Sequence, residues 1–379
     1  MNYHAPPAPA AALDALKREI SARAEEFQAL RHIPKDIVRQ FQAIGVYRAF
    51  VPKRFGGDEL SPQDFCRLVE DISTADASAG WVASFGVSAT YLAALPKETY
   101  AAIYGADPNT VFAGAMFPPQ PARRVEGGLE VSGRWPWGSG VMGADIVGAG
   151  IKIEGENSPL PRTAVLPRAK AGVDENWDTV GLRATGSHDI VIDKAIVPEE
   201  WTFIRGGKPQ QDDLIFRYPA MALAAQVLAV VALGAARSAL DWVHTNALAR
   251  ASVTGAPSPA ARAYVQIDYA KAEGLLMGAR SAYYDAIEEG WRQMQVNGEV
   301  DRPTLIRLRH AASKAAQDGA EAARLAFVMG GSEAMATGHP LGRKMIDAAC
   351  VAQHAFINSG SWQAAGAALF EQQTPPGYP

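Results

Sequence analysis

Cysteine is almost missing from this chain: 379 residues contain two, Cys66 and Cys350, with no CxxC spacing. No metal site or disulfide framework is therefore expected, and a reducing cytoplasm is the fitting compartment. Lysine and arginine form no stripe and the net charge is -4, which speaks against a nucleic-acid partner. No GxGxxG follows a strand-like run, so a nicotinamide cofactor bound by this chain is not expected. The N-terminal stretch MNYHAPPAPAAALDALK lacks the basic and apolar regions of a secretory signal. The longest apolar run, Met221 to Ala236, contains Gln226 and falls short of the ~20 residues that span a bilayer. It reads as a helix buried on all sides, with a subunit interface as one place for it, and not as a membrane span.

What is present is the composition of a globular protein, 48% hydrophobic and 20% charged, in a chain too long for one core. Residues 1–108 read as an N-terminal helical domain. Pro34 opens one helix, Gly45 ends it, and Ser61 with Pro62 starts another. Residues 109–200 change texture to the short β runs VFAGAM, LEVSGRW, DIVGAGIKI, TAVLP and HDIVIDKAIVP, with a hairpin turn expected at Glu126-Gly127-Gly128. Residues 201–379 return to helix. Val265, Tyr269, Ala272, Leu276, Tyr283 and Ile287 line one face, and Leu308, Ala312, Ala315, Ala322 and Leu325 line another. The loop TGAPSPA, 254–260, separates two long helices of an antiparallel bundle.

Inside the β region the stretch Arg134-Trp135-Pro136-Trp137-Gly138-Ser139-Gly140 packs two indoles, two glycines and one hydroxyl together. Glycines beside a serine suit a backbone that closely approaches a ligand, while the tryptophans suit either a solvent barrier or one face of a strand in the core.

The phrases VPKRFGG (51–57), FAGAMFPP (112–119), GGLEVSGRWPWGSG (127–140), WDTVGLRATGSHDIVIDKAIVP (177–198) and PLGRKMIDAACVAQHAFIN (340–358) resemble the acyl-CoA dehydrogenase superfamily across nearly the whole chain. SGRWPWGSG and GLRATGSHD resemble its two-component flavin-dependent monooxygenase branch. The resemblance implies an α+β fold with an N-terminal helical domain, a middle β-barrel-like domain and a C-terminal four-helix bundle, assembled as a homotetramer. Where a large subset of the dehydrogenases carries a catalytic glutamate, this sequence reads Ala352-Gln353-His354-Ala355. An imidazole in place of a carboxylate implies an oxygenase component, with His354 as base or hydrogen-bond partner.

That branch binds reduced FMN or FAD, delivered by diffusion from a separate reductase, and uses O2 through a C4a-hydroperoxide to hydroxylate a small aromatic or heteroaromatic substrate. The resemblance implies a catalytic Ser139 beside the flavin. Trp135, Trp137, Gly140, Arg183 and Thr185 are further flavin contacts, with Ser187 in the same loop. Phe85, Met116, Phe117, Phe203 and Tyr218 are candidates for the substrate pocket. His188 opens a strand and reads as structural. The C-terminal motif departs from the branch, since Gly342 and Ile346 stand where glutamine and arginine are usual, leaving Arg343 and Asp347 and keeping FMN against FAD open. Two alternatives remain at this point: an acyl-CoA dehydrogenase-type FAD flavoprotein oxidising an acyl thioester, with its carboxylate at Glu333 or near Asp268, and a non-enzymatic subunit retaining the fold.

Overall fold

The computed structural model describes residues 10–156, 161–249, 255, 257–375 and 378. The Ala/Pro segment ahead of Ala10, and Thr254 and Ala256 of the TGAPSPA loop, lie outside the described residues. The chain divides into two compact units. One comprises residues up to Ser61, Val82–Thr179 and Arg183–Ala220; the other comprises Pro62–Trp81, Val180–Leu182 and Met221 onward.

In the first unit, helices α1 (Ala10–Ala22), α2 (Ala24–Leu30) and α3 (Lys35–Ala43) precede the sheet. Pro34 sits at the N-cap of α3, Asp36 occupies its first turn, and Ile37, Val38 and Phe41 fall on one buried face. The helix ends before Gly45, whose φ of 90° only glycine takes without strain. Helix α4 (Pro62–Ala75) belongs to the second unit and α5 (Ala77–Ser84) begins there, followed in the first unit by α6 (Ser88–Leu92) and α7 (Lys97–Ala106).

The strands β1 (Phe112–Val125), β2 (Gly128–Trp135), β3 (Ile146–Ile153), β4 (Arg162–Pro167), β5 (Gly172–Asp174), β6 (Asp189–Val197) and β7 (Thr202–Ile204) form one mixed sheet. Its order is β5-β6-β2-β1-β3-β4-β7. β1 and β2 are joined by the expected tight turn, with Val125 opposite Gly128 and φ at Gly127 of 87°. β1 and β3 run parallel, which requires the long connection through β2. Alternation sends Leu129 and Val131 of β2 into a core shared with Val147, Ala149, Ile151 and Ile190.

One irregularity matters for the site. Ala115 pairs with Ala149 and Gln120 with Ile151, so Met116 to Pro119 are opposed by Gly150 alone. This wide bulge lifts four residues off the ladder. It also brings the Met116 carbonyl so close that a Cβ at position 150 would lie 2.0 Å from it.

The second unit is a helical bundle of α8 (Ala220–Ala249), α9 (Ala263–Asn297), α10 (Arg302–Met329), α11 (Pro340–Ala352) and α12 (Ser359–Leu369), with α4 packed on α9. α8 is 30 residues long, well beyond the apolar run read from the sequence. Past that run, Arg237 pairs with Glu273 on α9 at 2.9 Å and with Asp241 one turn on at 2.8 Å, contacts that support the helix there. Among the described residues it is the one helix long and apolar enough to cross a membrane, and most of it is buried inside the bundle. Glycines set the closest approaches: a Cβ at Gly234 would meet Ser73 Cβ of α4 at 2.4 Å, and one at Gly319 would meet the Ala232 backbone at 2.9 Å. Asp301 caps α10 by accepting from the Thr304 amide at 2.8 Å. Glu70 of α4 accepts from Arg280 at 2.7 Å and from the Tyr284 hydroxyl at 2.5 Å, a buried cross-link to α9. Beside it Cys66 is fully buried, and desolvation pushes its thiol up to about 12, so it packs as an inert apolar group.

Candidate active site

RWPWGSG begins as strand and ends as a loop, and its two tryptophans have opposite fates. Trp135, the last residue of β2, is 0% exposed in the sheet core, and its indole donates to the Gly150 carbonyl at 2.7 Å. It is a core residue, so the flavin contact expected for it is corrected: the strand's alternation turns it inward before the loop begins. Trp137 is 68% exposed and has a φ of 64°, a left-handed conformation costly for a bulky side chain. The strand has ended at Trp135, so the two indoles do not share a face. Phe117, on the β1 bulge, is 58% exposed. Gln120 ties that bulge to β2, donating to the carbonyls of Pro118 at 3.3 Å and Arg134 at 3.4 Å.

The strained backbone at Trp137 is held by the loop that precedes β6. The Gly138 amide donates to the His188 carbonyl at 3.0 Å and the Gly140 amide to the Thr185 carbonyl at 2.9 Å. Gly138 is required by this packing rather than by a ligand, since a Cβ there would lie 2.8 Å from Ile190 and 2.9 Å from the His188 carbonyl. Gly140 is required by its φ of 74°. Arg134 braces the strand end by pairing with Asp189 of β6 at 2.5 Å and with Asp174 of β5.

The zippered loops bring three hydroxyls into a line. Ser139 Oγ lies 2.6 Å from Ser187 Oγ, which lies 2.6 Å from Thr185 Oγ1, and all three residues are buried. His188 is buried as well, its Nδ1 accepting from the Trp177 amide at 3.0 Å. Desolvation and, after it, the Arg31 charge hold its pKa below the ordinary value, so it is neutral at pH 7, as a structural histidine should be. Arg183 donates to the carbonyls of Gln28 at 3.1 Å and Thr179 at 3.4 Å and pairs with Asp178. Its guanidinium is thus held within its own unit while a third of the side chain stays exposed. Of the pocket residues expected from the sequence, Phe85 and Met116 are half-buried and Phe117 is exposed. Phe203, paired opposite Thr163, and Tyr218 are almost wholly buried, so both serve as aromatic packing and leave no face for a ligand.

In the second unit, α11 ends at Ala352 and His354 sits on the turn that follows, its amide donating to the Val351 carbonyl at 3.1 Å. The imidazole lies edge-on between Trp81, at 5.6 Å between ring centroids, and Phe356, at 5.0 Å. The Phe356 amide points to Nδ1 at 3.3 Å, which favours the tautomer carrying its proton on Nε2. Two turns earlier on α11, Asp347 is buried and accepts from the Leu182 amide at 2.6 Å. Burial, then the nearby Asp76 carboxylate, push its pKa up to about 7, against the pull of the Leu182 amide, Arg343 and Lys344. Asp76 caps α5 through the Ala79 amide at 3.0 Å, and Lys344 donates to Ser238 at 2.6 Å. Sequence reasoning named Asp347 only as the survivor of a motif and missed Trp81, Phe356 and Asp76. No local spacing marks Trp81 and Asp76, because they meet His354 and Asp347 only through tertiary packing, whereas Phe356 lies two residues from His354.

Trp137, exposed two residues from the buried Ser139, and Phe117, exposed on the bulge of β1, offer aromatic surface of the kind that suits a planar heteroaromatic ring such as flavin. Residues 226–359 match the family described as acyl-CoA dehydrogenase, C-terminal domain, and residues 10–99 match acyl-CoA dehydrogenase, N-terminal domain. An indole-3-acetate monooxygenase of Pseudomonas putida is 52% identical over 358 residues, covering 94% of this chain and 92% of that protein. Its namesake in Acinetobacter baumannii is 43% identical, covering 97% and 95%. This chain is a flavin-dependent monooxygenase of the acyl-CoA dehydrogenase family. Its fold is that of a 3-HSA hydroxylase from Rhodococcus, with a TM-score of 0.88 at 24% identity over 97% of both chains. The monooxygenase uses reduced flavin and acts as an oxygenase component that hydroxylates an aromatic compound. The dehydrogenase alternative falls with that placement, and its candidate base Glu333 stands exposed on a short 3-10 turn. The scaffold alternative falls with it too.

Proposed function

We propose that this oxygenase component hydroxylates an indole-type ring bearing a short carboxylate, the substrate class in the names of the two relatives that align over nearly its whole length. Reduced FMN or FAD arrives by diffusion from a separate reductase. The observation that carries the chemical reading is the imidazole of His354, clasped by Trp81 and Phe356, where a dehydrogenase of this family has its carboxylate.

When bound, reduced flavin would supply the two electrons that let one atom of O2 enter the aromatic ring as hydroxyl while the other leaves as water. The chain's own groups do the rest. Trp137 and Phe117 exclude water from the ring they cover. Ser139 holds the flavin edge with its hydroxyl. His354 offers the proton on Nε2 as a hydrogen-bond donor to the oxygen or to the substrate. Taking up a proton would instead engage Nδ1 and cost the contact with the Phe356 amide, so the donor role is the better fit. We also place the chain in the cytoplasm as a homotetramer. The exposed apolar side chains Tyr264, Ile267 and Met277 of α9 support such an association.

The test mixes protein with chemically reduced flavin, oxygen and candidate substrates, and measures hydroxylated product by mass spectrometry. Product is expected with indole-3-acetate and little with 4-hydroxyphenylacetate; the reverse order would discard the indole assignment. His354→Ala should bind reduced flavin within about twofold of the parent and lose ~10²–10⁴ in product formation. Parallel loss of flavin binding would remove His354 from the chemistry.

A further inference from the structure

Arg205 stands on the turn after β7, and its cation has no acidic partner among the described residues. The two carboxylates that follow it in the chain are engaged elsewhere: Asp212 pairs with Lys97 and Asp213 with Arg54. What Arg205 meets is the face of Tyr91, its guanidinium carbon lying 4.1 Å from the ring centroid. Such stacking fixes the plane of a guanidinium and leaves its N–H edges able to hold a carboxylate in bidentate fashion. The turn that carries Arg205 is itself anchored. The Gly207 amide donates to the Ile204 carbonyl at 2.9 Å, Gly206 takes a φ of 77°, and the Gln210 amide donates to the Ala93 carbonyl at 2.7 Å, tying the loop to the end of α6.

Tyr91 belongs to a helical rod that leads back to the Ser139 loop. α5 passes through the 3-10 turn Phe85–Val87 into α6, with right-handed helical dihedrals at Ser84, Val87 and Ser88. From Val82 onward this rod, the β strands and Arg205 all lie in the first unit. At one end Val82 is the side chain that a Cβ at Gly140 would touch, at 3.6 Å. In the middle the Phe85–Val87 turn packs on β1. At the other end is Tyr91, roughly 14 Å further along at the rise of a helix. Phe85 and Tyr91 are half-buried, and between them the Ser88 hydroxyl is buried with no hydrogen-bond partner among the described residues. Desolvation raises the Tyr91 hydroxyl above its ordinary pKa, against the pull of the Arg205 charge, so this half-exposed ring lines a recess and not a convex surface.

We propose that Arg205, stacked on Tyr91, is a specificity-determining residue of this oxygenase and binds the carboxylate of the substrate's acid arm, with the substrate ring lying along Phe85 toward the Ser139 loop. The assignment rests on the reading of the substrate as an indole-type ring with a short carboxylate. The span of the rod leaves room for a bicyclic ring and its arm between Ser139 and the cation. Tyr91 is the positioning residue that holds the guanidinium in plane.

The experiment measures dissociation constants of indole-3-acetate and of indole, the same ring without the acid, for protein loaded anaerobically with reduced flavin, together with the melting temperature of each variant. Arg205→Gln is expected to weaken indole-3-acetate about 10–100-fold and to leave indole within about twofold of the parent. Arg205→Lys keeps the charge without the planar fork and should restore part of the preference for the acid. Tyr91→Leu removes the ring beneath the guanidinium and should weaken the acid alone, about 2–5-fold. If the parent binds the acid no better than indole, the reading of the substrate fails and the assignment goes with it. If the parent prefers the acid and Arg205→Gln keeps that preference, the substrate reading stands and Arg205 is not its partner. Equal weakening of both ligands by Arg205→Gln, with a lowered melting temperature, would make the arginine purely structural. Should Arg205→Gln not fold, Arg205→Lys and Tyr91→Leu carry the same comparison.

Discussion

The hydroxyl line at Ser139 and the carboxyl group at Asp347 solve the problem of buried polarity in different ways. Ser139, Ser187 and Thr185 are neutral, satisfy one another and keep their state across the physiological pH range. Asp347 is an ionisable group held off water beside Asp76, Lys344 and Arg343, and it titrates near neutrality. The carboxyl on the helix that leads to His354 thus titrates, while the hydroxyls beside Ser139 do not. The two tryptophans of RWPWGSG draw a second contrast, since neighbours in sequence are a core plug and a surface ring.

The sharpest way to break the second contrast is to truncate each indole. Trp135→Ala should cost ~3–5 kcal/mol, because it opens a cavity in the sheet core and orphans the Gly150 carbonyl. Trp137→Ala should fall within ~0.5 kcal/mol of the parent and yet weaken flavin binding. Urea unfolding beside flavin titration checks both, and comparable stability losses would erase the distinction.

A smaller effect tests the loop's rigidity. Gly140→Ala forces an L side chain to a φ of 74° with its Cβ in ordinary contact with Val82 at 3.6 Å, and should cost roughly 1–2 kcal/mol. An unchanged denaturation midpoint would mean that the loop relaxes and does not hold Ser139.

The first contrast is read from pH. The folded-state pKa of Asp347 is raised to about 7, while the unfolded carboxyl titrates near ~3.9. Between these values the unfolded chain loses a proton that the folded protein keeps, so this group's contribution to stability is full below about pH 4 and disappears as pH rises through 7. Asp347→Asn keeps an acceptor for the Leu182 amide but cannot ionise. Its stability relative to the parent should rise between pH 5 and about 7.5, measured as the difference in urea midpoints. A difference that stays flat would assign the titration elsewhere. Ser187→Ala, by contrast, should show a stability difference from the parent that does not vary over the same range.

Much of the fold was legible because it is written in local rules. Pro34 and Gly45 bracket α3, Glu126-Gly127-Gly128 makes the β1–β2 turn, and the apolar faces of α9 and α10 follow helical spacing. Legibility failed where a neighbour far along the chain sets the outcome. The bulge of β1 turns on the close approach at Gly150, and the hydrogen bonding of Arg183 on the Gln28 carbonyl.

By itself the sequence determined the order of helices, sheet and bundle, the histidine standing where relatives have a carboxylate, and the serine placed between two glycines. These follow from periodicity, turn chemistry and motif, which act over a few residues. Only the tertiary structure decided that Trp135 is core while Trp137 is surface, that Ser139 and Thr185 both meet the Ser187 hydroxyl, and that Asp347 shares a buried space with Asp76. Burial and electrostatic environment are properties of the packed ensemble of neighbours, and no window of sequence contains them.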